Sequence, residues 1–234
     1  MKGEFKIVKL TFERVIIIVI IIISFILIII TYKEGGVMLK SSYKDIYNIN
    51  VTKERLDDME DKLNIIHVRY CWNEELDYIN KPVLLIYHHT AINSISVEDV
   101  DKLHKDRGFA GIGYNYYIDK SGLIYKGRPD LAQGAHALGK NKVSLGICLE
   151  GNFEEEYPTE KQIESLEKLS IFLCLKYDIK GILGHKEVQE TLCPGKNFPL
   201  NEIRNNVIVR LRKIRGCRII GLKSVSDSSL LCNF

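Results

Sequence analysis

Residues 82–90 read PVLLIYHHT. After the opening proline, Val83 to Tyr87 form a short, unbroken apolar run of strand length, which suits a strand buried on both faces. The run ends on His88, His89 and Thr90, so a polar cluster sits at the end of a core strand. Downstream, Ser96 with Glu98 and Asp99 reads as a capped, acidic first turn of a helix to about Arg107, with Gly108 as its stop. NYYID (115–119) and LIYKG (123–127) flank Lys120-Ser121-Gly122 as a hairpin, and VSLGICLE (143–150) is a second buried strand. Residues 159–177 place Ile163, Leu166, Leu169, Ile171, Phe172, Leu173 and Leu175 along a helix opened by the Thr159 cap. A short strand, Ile179–Leu183, leads into Gly184-His185, and a last helix runs from Asn201 to about Arg215. These elements predict one α/β domain over 81–215, a single mixed central β-sheet flanked by helices.

Toward the N-terminus, Lys53–Asn64 reads as a short helix, and 33–80 as a tether and extension laid on the domain. Residues 15–30 read VIIIVIIIISFILIII; with Thr31 and Tyr32 the uncharged run reaches 18 residues. As a helix it spans about 27 Å, near the thickness of a bilayer's hydrocarbon core. Residues 15–32 are therefore expected to be one transmembrane helix. Lys2, Lys6, Lys9 and Arg14 precede it, while Lys33, Lys40 and Lys44 are the basic residues just after it, which favours cytoplasmic residues 1–14 and an exported C-terminal part. The run ends in TYKEGG, without the small residues of a cleavage site, so the anchor is expected to stay.

Composition narrows the function. The 234 residues carry 33 Lys+Arg against 30 Asp+Glu and are 46% apolar, which allows a packed core and excludes a disordered chain. A net charge of +3 gives no concentrated basic face, so no nucleic-acid partner is expected. The basic residues Arg204, Arg210, Arg212, Lys213, Arg215, Arg218 and Lys223 read as a solvated helix face, with contact to anionic polymer or lipid headgroups as the alternative. Six cysteines are too few for a disulfide scaffold and select no pairing; Cys148 and Cys174 read as small buried hydrophobes. Residues 216–234, with two glycines and a serine-rich stretch, read as a loosely ordered tail.

The remaining signal is metal chemistry. In GHKEVQETLCPG (184–195), His185 and Cys193 are too far apart for one helical face but suit a strand end and a returning loop, and His88 can join them from a neighbouring strand. Catalytic zinc commonly takes three such ligands and leaves the fourth position to water. YHHTA, GIGYNYYIDKSGLIYKGRP, GAHALGKNKVSLGICLEGN and GHKEVQETLCPG occur in that order. Together these blocks, spanning about 82–200, resemble the zinc-dependent N-acetylmuramoyl-L-alanine amidase family, the type related to peptidoglycan recognition proteins and phage amidase lysozymes.

The resemblance implies an amidase-like fold and Zn2+ held by His88, His185 and Cys193. His89 is then a neighbour, since adjacent strand residues point to opposite faces; it stays a candidate for the substrate groove. The resemblance further implies that Tyr114 and Thr191 act on the developing oxyanion or the proton, with Thr191 where some phage members carry Lys. His136 either lines the groove or is a structural hydrogen-bonding residue, and Arg128 either reaches a substrate carboxylate or braces the hairpin. His104 and His67 read as structural, the latter half-buried.

The implied reaction is hydrolysis of the amide between N-acetylmuramic acid and L-alanine in peptidoglycan, by an enzyme facing the wall from a bacterial membrane. The alternative is a membrane-anchored receptor that binds peptidoglycan without cleaving it; receptors of this family typically lose the cysteine ligand, which is present here.

Overall fold

The computed structural model describes residues 39–219, with side chains to 214. The expected anchor at 15–32, the segment 1–14 and the tail beyond 219 lie outside the described residues. Among the described residues no helix is long and apolar enough to cross a membrane.

In chain order the elements are α1 (Tyr43–Ile46), α2 (Lys53–Leu63), β1 (Ile66–His67), β2 (Leu84–His89), α3 (Val97–Asp106), β3 (Tyr116–Ile118), β4 (Ile124–Lys126), β5 (Ser144–Leu149), α4 (Glu160–Lys176), β6 (Gly181–Gly184), a 3-10 turn (His185–Glu187) and α5 (Leu200–Ile219). The strands form one six-stranded sheet in the order β1-β4-β3-β5-β2-β6. It is mixed, as expected: β3 and β4 pair antiparallel, and every other neighbouring pair is parallel. The hairpin turn suits its residues, because Gly122 takes φ +87° and the Asp119 carboxylate accepts the N–H groups of Ser121 and Leu123.

Every residue of β2 and β5 is buried, which explains their continuous apolar reading. One face carries Leu85, Tyr87, Leu145, Ile147 and Leu149 against Leu166, Leu169, Phe172 and Leu173 of α4 and Ile203, Val207 and Leu211 of α5. Each such side chain contributes about 1.5–3 kcal/mol of burial. The other face has a smaller cluster of Val97, Val100, Ile112, Tyr117 and Cys148. That thinner layer leaves the ends of the central strands open to a cavity.

Two readings need correction. The expected tether becomes, from Leu39 onward, part of the domain: Leu39 N–H donates to the Lys180 carbonyl, Tyr43 N–H to the Ile179 carbonyl, and the Tyr43 ring is buried. The turn formers there are helix boundaries, with Ser42 capping α1 and Asn48 at φ 47° following it. The last helix runs to Ile219, past the expected tail boundary at Gly216. A glycine inside a helix costs about 0.5–1 kcal/mol, which a helix already anchored on the sheet tolerates.

Gln162, in the first turn of α4, is fully buried. Its Oε1 accepts Thr159 N–H in a capping box, and its Nε2 donates to the carbonyls of Ile118 and Glu150. One amide thus fastens the start of α4 to the ends of β3 and β5. Gln162→Leu strands Thr159 N–H and the Glu150 carbonyl and removes one of the two donors to the Ile118 carbonyl, and should destabilise the domain by about 2–4 kcal/mol in urea unfolding. Thr159→Ala removes one cap and should cost about 1 kcal/mol. A loss for Gln162→Leu no larger than for Thr159→Ala would contradict this assignment.

Candidate metal centre and groove

Parallel pairing builds the site. β2 and β6 run side by side in register, with Tyr87 opposite Gly184. The next residue on each strand is a histidine, so His88 and His185 emerge together, their ring centroids 4.5 Å apart. His185 opens the 3-10 turn, which Glu187 secures by accepting Gly184 N–H while pairing with Arg204. The chain then returns through a loop pinned by Lys186 N–H to the Cys193 carbonyl. Its Sγ arrives 3.6 Å from His88 Nδ1. Ligand atoms of His88, His185 and Cys193 all lie within 4.8 Å of one another.

Hydrogen bonding sets which ring nitrogens face the centre. The Lys140 carbonyl can only accept, so the Ser144 hydroxyl donates to it at 2.7 Å. His136 Nε2 faces that hydroxyl at 3.5 Å, and with the hydroxyl hydrogen already given to Lys140 the imidazole is the donor. His136 Nδ1 is then an acceptor, so His88 Nε2, 3.0 Å away, carries the hydrogen. The lone pair of His88 is left on Nδ1, facing Cys193. On the other ligand, Gln189 Oε1 receives Leu138 N–H at 3.3 Å and His185 Nε2 at 3.1 Å, so His185 also keeps its lone pair on Nδ1.

Burial supports the same protonation states. It pushes His88 well below the usual histidine range, helped by the neighbouring His136 and His185, and lowers His136 to about 3. His185 is lowered too, again by burial. Both candidate ligands are neutral imidazoles at neutral pH. Burial raises the Cys193 thiol to about 12, opposed by the His89 N–H that donates to Sγ at 3.4 Å.

Tyr114 stands beside the centre, its ring centroid 5.1 Å from that of His88, and burial keeps its phenol protonated. Thr191 Oγ1 accepts Cys193 N–H at 3.2 Å, which leaves its hydroxyl hydrogen free to donate. A cavity of about 630 Å³ opens from the centre, lined by Phe109, Tyr114, His136, Leu138, His185 and Gln189, with Glu74, Glu75 and Asp77 on its rim.

The other candidates separate. His136 lines the cavity and braces His88; it lies so close to β5 that a Cβ on Gly146 would meet its ring at 2.6 Å. Arg128 also borders the cavity, but its guanidinium donates to the carbonyls of Ile112, Gln133 and Gly111. This bracing leaves Arg128 little capacity for a substrate carboxylate.

His89 turns to the opposite face of β2, where it lies against the tilted Phe153 ring and accepts Phe153 N–H, so its expected place in the groove does not hold. His104 is structural as expected, with Nδ1 accepting Gly113 N–H at 2.9 Å. His67 is exposed on the edge strand β1, where a half-buried position was expected. Gln189 and Asn141, whose Oδ1 accepts the N–H groups of His136 and Ala137, were not identified from sequence. Gln189 lies four residues after His185, a spacing that brings side chains together on a helical turn.

The N-acetylmuramoyl-L-alanine amidase family profile matches residues 79–196. The chain is 32% identical over 106 residues to the endolysin of Escherichia phage T7, covering 43% of this chain and 70% of that protein. It is 35% identical over 131 residues to peptidoglycan-recognition protein SC2 of Drosophila melanogaster, covering 51% and 71%. Among solved structures, the N-acetylmuramoyl-L-alanine amidase LysC of Clostridium intestinale matches with TM-score 0.60 and 47% identity, over 61% of this chain and 96% of that one. A Drosophila PGRP-LB mutant in complex with tracheal cytotoxin matches with TM-score 0.54 and 27% identity, over 60% and 92%.

His104 supplies a pH test. Burial lowers it to about 4 when folded, below its ordinary value of 6.5. The unfolded chain therefore binds a proton first as pH falls. Stability is complete above about pH 6.5, declines toward pH 4 by up to about 3 kcal/mol from this group, and is flat below that. His104→Asn keeps an acceptor for Gly113 N–H without titrating. Urea midpoints against pH should fall less steeply in this variant between pH 6.5 and 4, and an unchanged slope would exclude the assignment.

Proposed function

Because this chain belongs to the N-acetylmuramoyl-L-alanine amidase family, we propose that it hydrolyses the amide between N-acetylmuramic acid and L-alanine in bacterial peptidoglycan, with a zinc ion held by His88, His185 and Cys193. The observation that carries this reading is the convergence of those three ligand atoms at the end of the central strands, within 4.8 Å of one another.

The donors suit zinc. Two neutral imidazoles and one thiol are a borderline-soft set of the kind zinc takes in catalytic sites. The 3.6 Å between Cys193 Sγ and His88 Nδ1 corresponds to an edge of about 3.5 Å expected for a tetrahedron with zinc–sulfur and zinc–nitrogen bonds. Cys193 holds its proton until a cation replaces it, so metal uptake releases a proton.

Zinc bound there would lower the pKa of its water to about 7 and polarise the scissile carbonyl. The protein's own groups do the rest. His136 and Gln189 hold the two imidazoles in the ligating tautomer. Tyr114, its ring 5.1 Å from that of His88, offers a neutral phenol beside the centre, suited to donating to the oxyanion that forms from the carbonyl. The Thr191 hydroxyl, fixed by Cys193 N–H, can hand a proton toward the departing amine; unlike a lysine, it brings no positive charge. The apolar run 15–32, with basic residues on its N-terminal side, supports a single-pass anchor that holds this domain on the extracytoplasmic face of a bacterial membrane.

The test incubates the 234-residue chain in mild detergent with intact peptidoglycan and counts new amines at L-alanine and new reducing sugar ends. Amines should rise without reducing ends. Chelator or Cys193→Ser should abolish the rise, and Tyr114→Phe should lower kcat by about 10²-fold. Binding to peptidoglycan without amine release, unchanged in Cys193→Ser, would replace the hydrolase by a binding protein. The expressed chain should sediment with membranes, its C-terminal domain open to protease from outside; recovery in the soluble fraction would remove the anchor.

A further inference from the structure

Gln189 occupies a position that the proposed reaction does not by itself require. It follows the 3-10 turn that starts with His185, and its N–H donates to the His185 carbonyl at 3.1 Å, folding its side chain back toward that imidazole. Its Oε1 then meets two donors from different parts of the chain, His185 Nε2 at 3.1 Å and Leu138 N–H at 3.3 Å. Leu138 belongs to the loop that leaves His136, and it is 82% exposed on the wall of the cavity. Asn141 holds the same loop from its other end through the N–H groups of His136 and Ala137.

One loop therefore serves both histidines. His136 receives the Nε2 hydrogen of His88 directly, and Leu138 shares with His185 the single oxygen of Gln189. Because both donors are held on that one oxygen, one on each lone pair, the angle of the His185 ring is tied to the position of the loop.

We propose that Gln189 is a positioning residue that locks the His185 imidazole to the groove loop Ala137–Gly139, so that the metal centre and the substrate wall are set as one unit. This rests on the reading of His88, His185 and Cys193 as a zinc site. An imidazole ligand that loses its outer hydrogen-bond acceptor also loses its fixed tautomer and ring orientation, which typically weakens metal affinity about 10–100-fold.

The experiment measures zinc affinity of the 234-residue chain by competition with a chromogenic chelator, then kcat and KM on peptidoglycan fragments at saturating zinc. Gln189→Met keeps the length of the side chain without the acceptor, and Gln189→Glu restores an oxygen that accepts both N–H groups. Gln189→Met should bind zinc about 10–100-fold more weakly and, once loaded, show a lowered kcat with KM little changed. Gln189→Glu should recover most of the affinity, and both variants should melt like the wild type because the side chain is exposed. Wild-type zinc affinity and kcat in Gln189→Met overturn this inference alone. A wild-type chain that binds no zinc overturns the metal-centre reading, and this inference with it.

Discussion

The parallel register between the two central strands is the constraint on which the site depends. With Tyr87 opposite Gly184, one further step along each chain delivers His88 and His185 to the same edge of the sheet. Parallel strands end at the same side, so their last residues meet without any loop having to carry them there. A shift of one residue would turn His88 to the opposite face, where His89 now packs on Phe153. The register is in turn held by burial: β2 lies between β5 and β6 with every residue enclosed, and slipping it would move Tyr87 out of the main core.

Burial also sets a polar requirement that the neighbouring segments meet. Enclosed imidazoles with unpaired N–H groups would cost about 1–3 kcal/mol each. A line of donors from His88 through His136 and Ser144 to the Lys140 carbonyl meets this for the buried His88, while Gln189 accepts the N–H of the partly exposed His185. Because that line ends on an acceptor-only carbonyl, every hydrogen in it has a direction. The small residue at Gly146 is part of the same solution, since the His136 ring occupies the space a side chain would need.

These facts explain which parts could be read in advance. The buried strands and the capped helices α3 and α4 follow from apolar runs and caps, which are local properties, whereas spacing only allowed the pair His185 and Cys193, which the resemblance of the motif blocks singled out. The fully buried Gln162 could not be read that way, because its partners at Ile118 and Glu150 come from two other strands. The same holds for Leu39 to Ile49, whose irregular apolar pattern makes sense only against Ile179 and Lys180. His67 was misjudged because its apolar neighbours suggested a half-buried position, whereas β1 is a two-residue exposed edge.

The N-terminal extension also changes the meaning of the groove. Leu76 is buried against Ala110 and Ala132, and Trp72 lies under the Arg128 guanidinium at 5.4 Å. Arg128 in turn holds the carbonyls of Gly111, Ile112 and Gln133, on either side of the Tyr114 segment. A cation placed among backbone carbonyls and stacked on an indole is committed to the wall, so the Arg128 charge is already engaged. Beside Arg107 of the α3 end, the charges left lining the groove are the carboxylates of Glu74, Glu75 and Asp77, contributed by the extension itself. The extension is therefore one wall of the groove, and its contribution to the local field is negative.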